Sequence, residues 1–371
     1  MPVTNLKQRR LESFRNFVKG TGPAANYIML EPSTYAAEFC GKPGGHPTFA
    51  DNLAFHKAFV NDSPLTEFVF PDAILPQLCW KRTLLEKKEE ISFFEETLQV
   101  PGSGPKTRVI AENPGTQPWI VKAPVQNESD FDLIDYYAEC VKNNTQHYAA
   151  KFGTLFDFCK REGFMASAVL LIPFEAYYLV DYPDMPLFFY DFTDRYLRSI
   201  KNVHQANMAV AKTLIDAGCE MFYMGSAGLE LLSPRIFDEA IIPFVRETTD
   251  YIHSRGAFAN YHICGHSYQL LKSGRINTIR PTWFETFSSP PCGNNACLRE
   301  SLNYLSEDII SKGNLSLEIL RNGTPQDIKT ATHEIIKGSR GRRHIIGQAD
   351  ATILSGTPQA NIRAFLDAAS N

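Results

Sequence analysis

No apolar run in this chain reaches the roughly 18 consecutive residues that a membrane-spanning helix needs, so a membrane protein is not expected. There is no surplus of basic charge either. Lys and Arg number 37 against 41 Asp and Glu, a net charge of −4, which excludes the electrostatic footprint of a nucleic-acid binder. The opening segment MPVTNLKQRRLESFRNF is charged and amphipathic and lacks the apolar core of a secretory signal. The eight cysteines, at 40, 79, 140, 159, 219, 264, 292 and 297, are scattered and do not form a disulfide framework, which suits a reducing compartment. Together these absences lead us to expect a cytoplasmic protein. Catalytic signatures are also missing: there is no Gly-x-Ser-x-Gly elbow, Walker loop or plausible dinucleotide fingerprint.

What is present is a rhythm. Residues 1–60 read as a helical N-terminal extension, with a helix near Leu6–Lys19, a possible strand at Asn26–Leu30 and a helix near Phe49–Phe59. Lys81–Glu90 is a charge run that reads as a solvated helix face. Phe93–Asn113 alternates around Pro101-Gly102-Ser103-Gly104-Pro105, a hairpin turn with no helix after it to make a phosphate loop. From about 130 onward, helical stretches (Phe131–Cys159, Asp191–Ala217, Ser233–Ser254) alternate with apolar strands (Ala166–Pro173, Glu220–Gly225, Phe258–Cys264, Asn277–Phe287, His344–Ala349). Gly323-Thr324-Pro325 and Gly356-Thr357-Pro358 each place a threonine N-cap before proline at N1, marking two helix starts. Repeated β-α units of this length predict an α/β protein, a single (β/α)8 TIM barrel over 1–371, with an open doubly wound sheet as the second choice.

The chemistry-bearing stretch is Tyr261-His262-Ile263-Cys264-Gly265-His266. Side chains two apart on a strand share a face, so His262 and Cys264 project together at the strand's end, where a barrel builds its site. Glu285, one β-α step later, belongs at the neighbouring strand's mouth. His, Cys and Glu from adjacent strands make an N,S,O ligand set for zinc with one position open. The same three residues also read as a buried His, a buried free Cys and a strand-end Glu paired with an arginine. His266 is a weaker fourth ligand, and Cys292 and Cys297 form a loop pair with no second pair to close a structural site. His253 reads as a helix C-terminal cation. Lys337–Arg343 reads either as an anion site or as a basic helix end.

Motif order carries a resemblance. Glu95–Asn113 with Trp119–Ala123, the segment Leu231-Leu232-Ser233-Pro234-Arg235-Ile236-Phe237 with Pro243 beyond it, His262-Ile263-Cys264-Gly265, Gly313-Asn314-Leu315 with Gly323-Thr324-Pro325, and Gly356–Ile362 follow in sequence. From about residue 60 to the end, this order resembles the uroporphyrinogen decarboxylase superfamily, which includes cobalamin-dependent zinc methyltransferases. The resemblance implies a (β/α)8 barrel. In its methyltransferase branch it implies zinc on His262 and Cys264, with Glu285 where related enzymes supply a carboxylate. That branch also carries a later Cys, and here Ile346–Thr352 has none, leaving Gln348, Asp350, a loop cysteine or the substrate to complete the site.

The decarboxylase branch is metal-free. The resemblance implies Asp72, in Phe70–Pro76, as its catalytic residue, although Leu30–Tyr35 lacks the arginines that branch uses for a polycarboxylate substrate. The expectation is therefore a methyltransferase with zinc as Lewis acid. It would move a methyl group between a small substrate, such as a methoxylated aromatic undergoing O-demethylation, and a corrinoid. No Asp-x-His-x-x-Gly segment occurs, so the corrinoid (cobalamin) is expected on a separate partner protein. Phe174–Tyr178 and Phe188–Tyr190 are either pocket-lining aromatics or core. The alternatives are a decarboxylase acting through Asp72 and a non-catalytic binding or regulatory barrel. A homo-oligomer is compatible with all three.

Overall fold

The computed structural model describes residues 3–21, 26–32, 34–43, 47–59, 65–69, 75–113, 118–225, 228–229, 232–350 and 352–370. Twelve strands are found among them. They are β1 (Asn26–Ile28), β2 (Leu65–Val69), β3 (Lys81–Lys88), β4 (Ile91–Val100), β5 (Gly104–Glu112), β6 (Trp119–Lys122), β7 (Met165–Leu170), β8 (Met221–Gly225), β9 (Phe258–His262), β10 (Trp283–Thr286), β11 (Ile310–Leu315) and β12 (His344–Gln348). Eight pair in parallel in the order β1-β12-β11-β10-β9-β8-β7-β2, the strand order of a (β/α)8 barrel read from a seam between β1 and β2. β8, β9, β10 and β12 are buried at every position, as parallel strands wrapped by helices must be. β1 lies inside the segment that the sequence presents as an extension, so residues 26–28 are part of the sheet.

The remaining strands form an antiparallel sheet, β3-β4-β5-β6, and the expected hairpin turn joins β4 to β5. Lys81–Glu90 is corrected from helix to strand. Its charges face solvent as expected, but β3 pairs with β4 along its whole length. Arg82 and Arg108 both donate to Glu96, at 2.7 Å each, and tie the sheet across its strands. The helical stretch 131–159 is two helices, Phe131–Asn143 and Thr145–Glu162, broken at Asn144. Of the two threonine caps, Thr324 accepts from Asp327 N and forms a capping box, whereas Thr357 donates to Leu354 O and starts its helix only at Gln359.

One end of the barrel is plugged. Leu11, Phe14 and Phe17 of the helix Val3–Lys19 pack against Tyr27, Met165, Met221, Phe258, Trp283, Ile310 and Ile345, which open their strands or lie just inside them. The Phe14 ring sits edge-on to Tyr27 (5.2 Å) and Trp283 (5.8 Å). Sealing this end leaves chemistry to the other, where the strands' C-terminal ends open.

A buried histidine behind the sheet gives the fold a pH signature. His344 Nε2 donates to Gly313 O (2.7 Å), and Nδ1 lies 2.8 Å from the Ser311 hydroxyl, which serves a neutral ring as donor. Burial pushes its pKa down to about 4. A histidine depressed below its unfolded value stabilises fully above about pH 6.5 and loses that contribution as pH falls toward 4. Stability at about pH 5 should therefore be about 2 kcal/mol below that at neutral pH from this group alone. Urea unfolding of the wild type and of His344→Gln at both pH values checks this, and a variant with an undiminished acid loss would assign it elsewhere.

Candidate metal centre

Strand alternation aims His262 into the barrel. Phe258, Asn260 and His262 share one face of β9, and Phe258 lies in the plugged end, so His262 points inward at the opposite mouth. The neighbouring strand makes room for it. Gly225 on β8 stands opposite His262 with φ of 148°, and a Cβ there would come within 2.1 Å of the His262 carbonyl oxygen. Only glycine tolerates that approach. The His262 ring lies against Tyr223, with centroids 5.1 Å apart.

Register then builds a row of charges, in which His262 stands opposite Glu285 and Glu285 opposite Lys312. Glu285 Oε1 lies 2.7 Å from His262 Nδ1, and its Oε2 accepts from Lys312 Nζ at 2.5 Å. Lys312 Nζ also donates to Glu31 Oε2 at 2.7 Å. Glu31 is held by its backbone, which exchanges hydrogen bonds with the Gln348 side-chain amide. All four charged side chains are buried.

Burial raises the Glu31 carboxyl to about 7, against the pull of Lys312. Burial also acts to raise Glu285, but Lys312 and His262 outweigh it and hold that carboxyl at about 2. Burial lowers His262, while its contacts with Cys264 and Glu285 bring it up to about 10. Two carboxylates at opposite ends of the range around one lysine make a strongly polarised interior.

One ligand atom from each of His262, Cys264 and Asp350 lies within 4.8 Å of the others. With Nδ1 turned to Glu285, Nε2 is the ring nitrogen left to face a metal, as in the carboxylate–histidine arrangement that orients metal-bound imidazoles. Nitrogen, sulfur and oxygen donors at this spacing suit a tetrahedral zinc site with one position open. The residues present fit the metal.

Of the expected residues, His262 and Cys264 come together in this cluster. Glu285 touches it through His262, and both its oxygens are engaged with His262 and Lys312. Asp350 offers the third donor of the cluster. Gln348 is occupied with Glu31, and His266 is exposed and outside the cluster. Cys292 lines the same cavity as Cys264 and Asp350, whereas Cys297 lies in a separate outer groove. His253 binds Thr282 Oγ1. In the basic segment, Arg342 and Arg343 donate to backbone carbonyls and so hold the fold. Phe174, Tyr177 and Phe189 are buried, Phe174 and Tyr177 packing on Tyr196 and Tyr137, so these aromatics are core. Asp72 lies outside the described residues. Lys312 and Glu31 were not anticipated. A lone lysine in the buried strand Ile310–Leu315 was the available signal.

The family profile described as uroporphyrinogen decarboxylase (URO-D) matches residues 114–371, more than half of the chain. A uroporphyrinogen decarboxylase of Synechococcus is 30% identical over 156 residues, covering 41% of this chain and 40% of that protein. One of Prochlorococcus marinus is 24% identical over 161 residues, 42% of each. A methylcobamide:CoM methyltransferase of Methanosarcina mazei is 23% identical over 171 residues, 44% of this chain and 46% of that protein. The chain thus spans less than half the length of these curated relatives. In structure it is similar to a methyltransferase from Methanosarcina mazei, with TM-score 0.67 over 98% of both chains at 12% identity.

Proposed function

The chain belongs to the uroporphyrinogen decarboxylase family, and from that premise we propose that it is a zinc-dependent methyltransferase. It moves a methyl group between a small thiol or methyl ether and a corrinoid carried by a separate protein. The observation that carries this reading is the convergence of His262, Cys264 and Asp350 at the barrel mouth. A metal-free decarboxylase has no use for a thiol and an imidazole brought together this way.

Zinc held there supplies Lewis acidity, stabilising negative charge on the substrate's sulfur or oxygen once the methyl group has left or before it arrives. The protein's own residues prepare that step. Glu285 fixes the orientation of the His262 ring, and Lys312 keeps Glu285 ionised in a site from which water is excluded. Asp350 would give the metal a harder oxygen donor beside the Cys264 sulfur. The similarity to a methylcobamide:CoM methyltransferase supports a corrinoid as the other methyl carrier.

The test is spectroscopic. Zinc-loaded protein mixed with methylcobalamin and a panel of small thiols and phenols should demethylate the corrinoid, and Cys264→Ala should abolish this. Turnover of uroporphyrinogen that is lost in Asp72→Asn would instead establish the decarboxylase. Inertness toward both, with zinc fully bound, would leave a binding barrel.

A further inference from the structure

Beside the triad is a cavity of about 220 Å³ whose wall includes Cys264, Asp350, Cys292, Ser288, Ser289 and Ser316. Zinc takes four ligands, and the triad supplies three. The other polar groups of the wall are already engaged or poor zinc donors. The Ser288 hydroxyl is engaged with Thr286 Oγ1 at 2.7 Å and Ala349 O at 3.0 Å. Ser316 Oγ caps the helix Leu317–Asn322, accepting from Ile319 N. Ser289 offers a neutral hydroxyl, which zinc sites rarely use. Among the described residues of the wall, the Cys292 thiol is the remaining donor of a type zinc prefers.

The loop that carries that thiol is fastened beside the site. Gly293 packs so closely that a Cβ would lie 2.4 Å from Gly265 O, the residue after Cys264, and 2.2 Å from Ser288 O. Asn295 N donates to Ser288 O (3.0 Å), Asn295 Nδ2 to Ser267 Oγ (3.1 Å), and Tyr268 N to Asn294 Oδ1 (3.0 Å). The loop after β10 is therefore fastened to the turn after β9. Pro290 and Pro291 restrict the chain leading into Cys292. Yet the Cys292 side chain itself is exposed, on a fixed base but not packed in place.

We propose that Cys292 is a displaceable fourth ligand, holding the zinc position that substrate later takes. This rests on the zinc reading of the triad. When a thiol substrate enters, its sulfur replaces the Cys292 sulfur, and the proton the substrate sheds passes to the departing Cys292 thiolate. One metal–sulfur bond breaks, one forms, and no net proton is released. Without substrate, Cys292 screens the metal from water and from stray thiols.

Cobalt(II) in place of zinc tests this, because thiolate-to-cobalt charge-transfer absorption reports the number of bound thiolates. Wild type should show two, from Cys264 and Cys292. Cys292→Ser should still bind one cobalt per chain but with the charge-transfer intensity cut to about half, one thiolate of two, and with weaker zinc retention against a chelator. Cys297→Ser, in the neighbouring groove, should match wild type. A Cys292→Ser spectrum and chelator resistance equal to wild type would overturn the proposal while leaving the triad intact. Failure of wild type to take up cobalt or zinc at all would instead overturn the zinc reading on which it rests.

Discussion

Lys312→Met should destabilise the protein by about 3–5 kcal/mol, the cost of stripping the partner from buried charges. The substitution keeps the volume of the lysine stem but leaves Glu31 and Glu285 facing each other's side of the barrel without their shared cation. The cost should depend on pH in a defined direction. Burial already raises the Glu31 carboxyl to about 7 with Lys312 present, and removing the lysine raises it further. A carboxyl whose folded pKa lies above its unfolded value stabilises below the unfolded pKa and loses that contribution as pH rises through the folded one. The variant should therefore be weakest at alkaline pH and recover toward about pH 5. Adding Glu31→Gln should restore part of the loss at neutral pH, because an amide is neutral without having to take up a proton on folding. Urea denaturation of the single and double variants across pH measures this. A loss under about 1 kcal/mol, or the opposite pH trend, would mean that water reaches the row and screens it.

Glu285→Gln separates a ligand from a residue that positions one. A carboxylate accepts from His262 Nδ1 and Lys312 Nζ at once. An amide has one oxygen, so one of those donors must face an NH2 group. The ring loses its fixed orientation, and zinc affinity should fall by about 10- to 100-fold, the usual cost of losing such a supporting carboxylate. Stoichiometry at saturation should still be one zinc per chain. Asp350→Ala, which removes a ligand atom, should weaken binding more than Glu285→Gln does. Competition with a chromophoric chelator gives both affinities. Equal or reversed effects would make Glu285 the third ligand and Asp350 a bystander.

The difference between these two carboxylates also marks where sequence reasoning reaches its limit. The barrel was legible because buried parallel strands read as continuous apolar runs, as in Ala166–Pro173, and because Thr324-Pro325 starts a helix by local chemistry alone. β3 was not, since its alternating Lys and Glu residues suit a helix surface as well, and only pairing with β4 decides the matter. Spacing placed His262, Cys264 and Glu285 at one mouth. It could not say that Glu285 would turn one oxygen to His262 and the other to Lys312, because that depends on a lysine 27 residues further on. Glu31 was hidden more deeply, since its place is set by Gln348, 317 residues away. Short-range chemistry shows in the sequence, while contacts closed by the barrel as a whole do not.

Whether His262, Cys264 and Asp350 hold a zinc ion is read most directly by elemental analysis of protein purified without chelator or added metal. Wild type should carry close to one zinc per chain, lost in His262→Ala and Cys264→Ala variants that remain folded by circular dichroism. A metal-free wild type that stays metal-free after zinc is offered, or variants that keep a full complement, would contradict it.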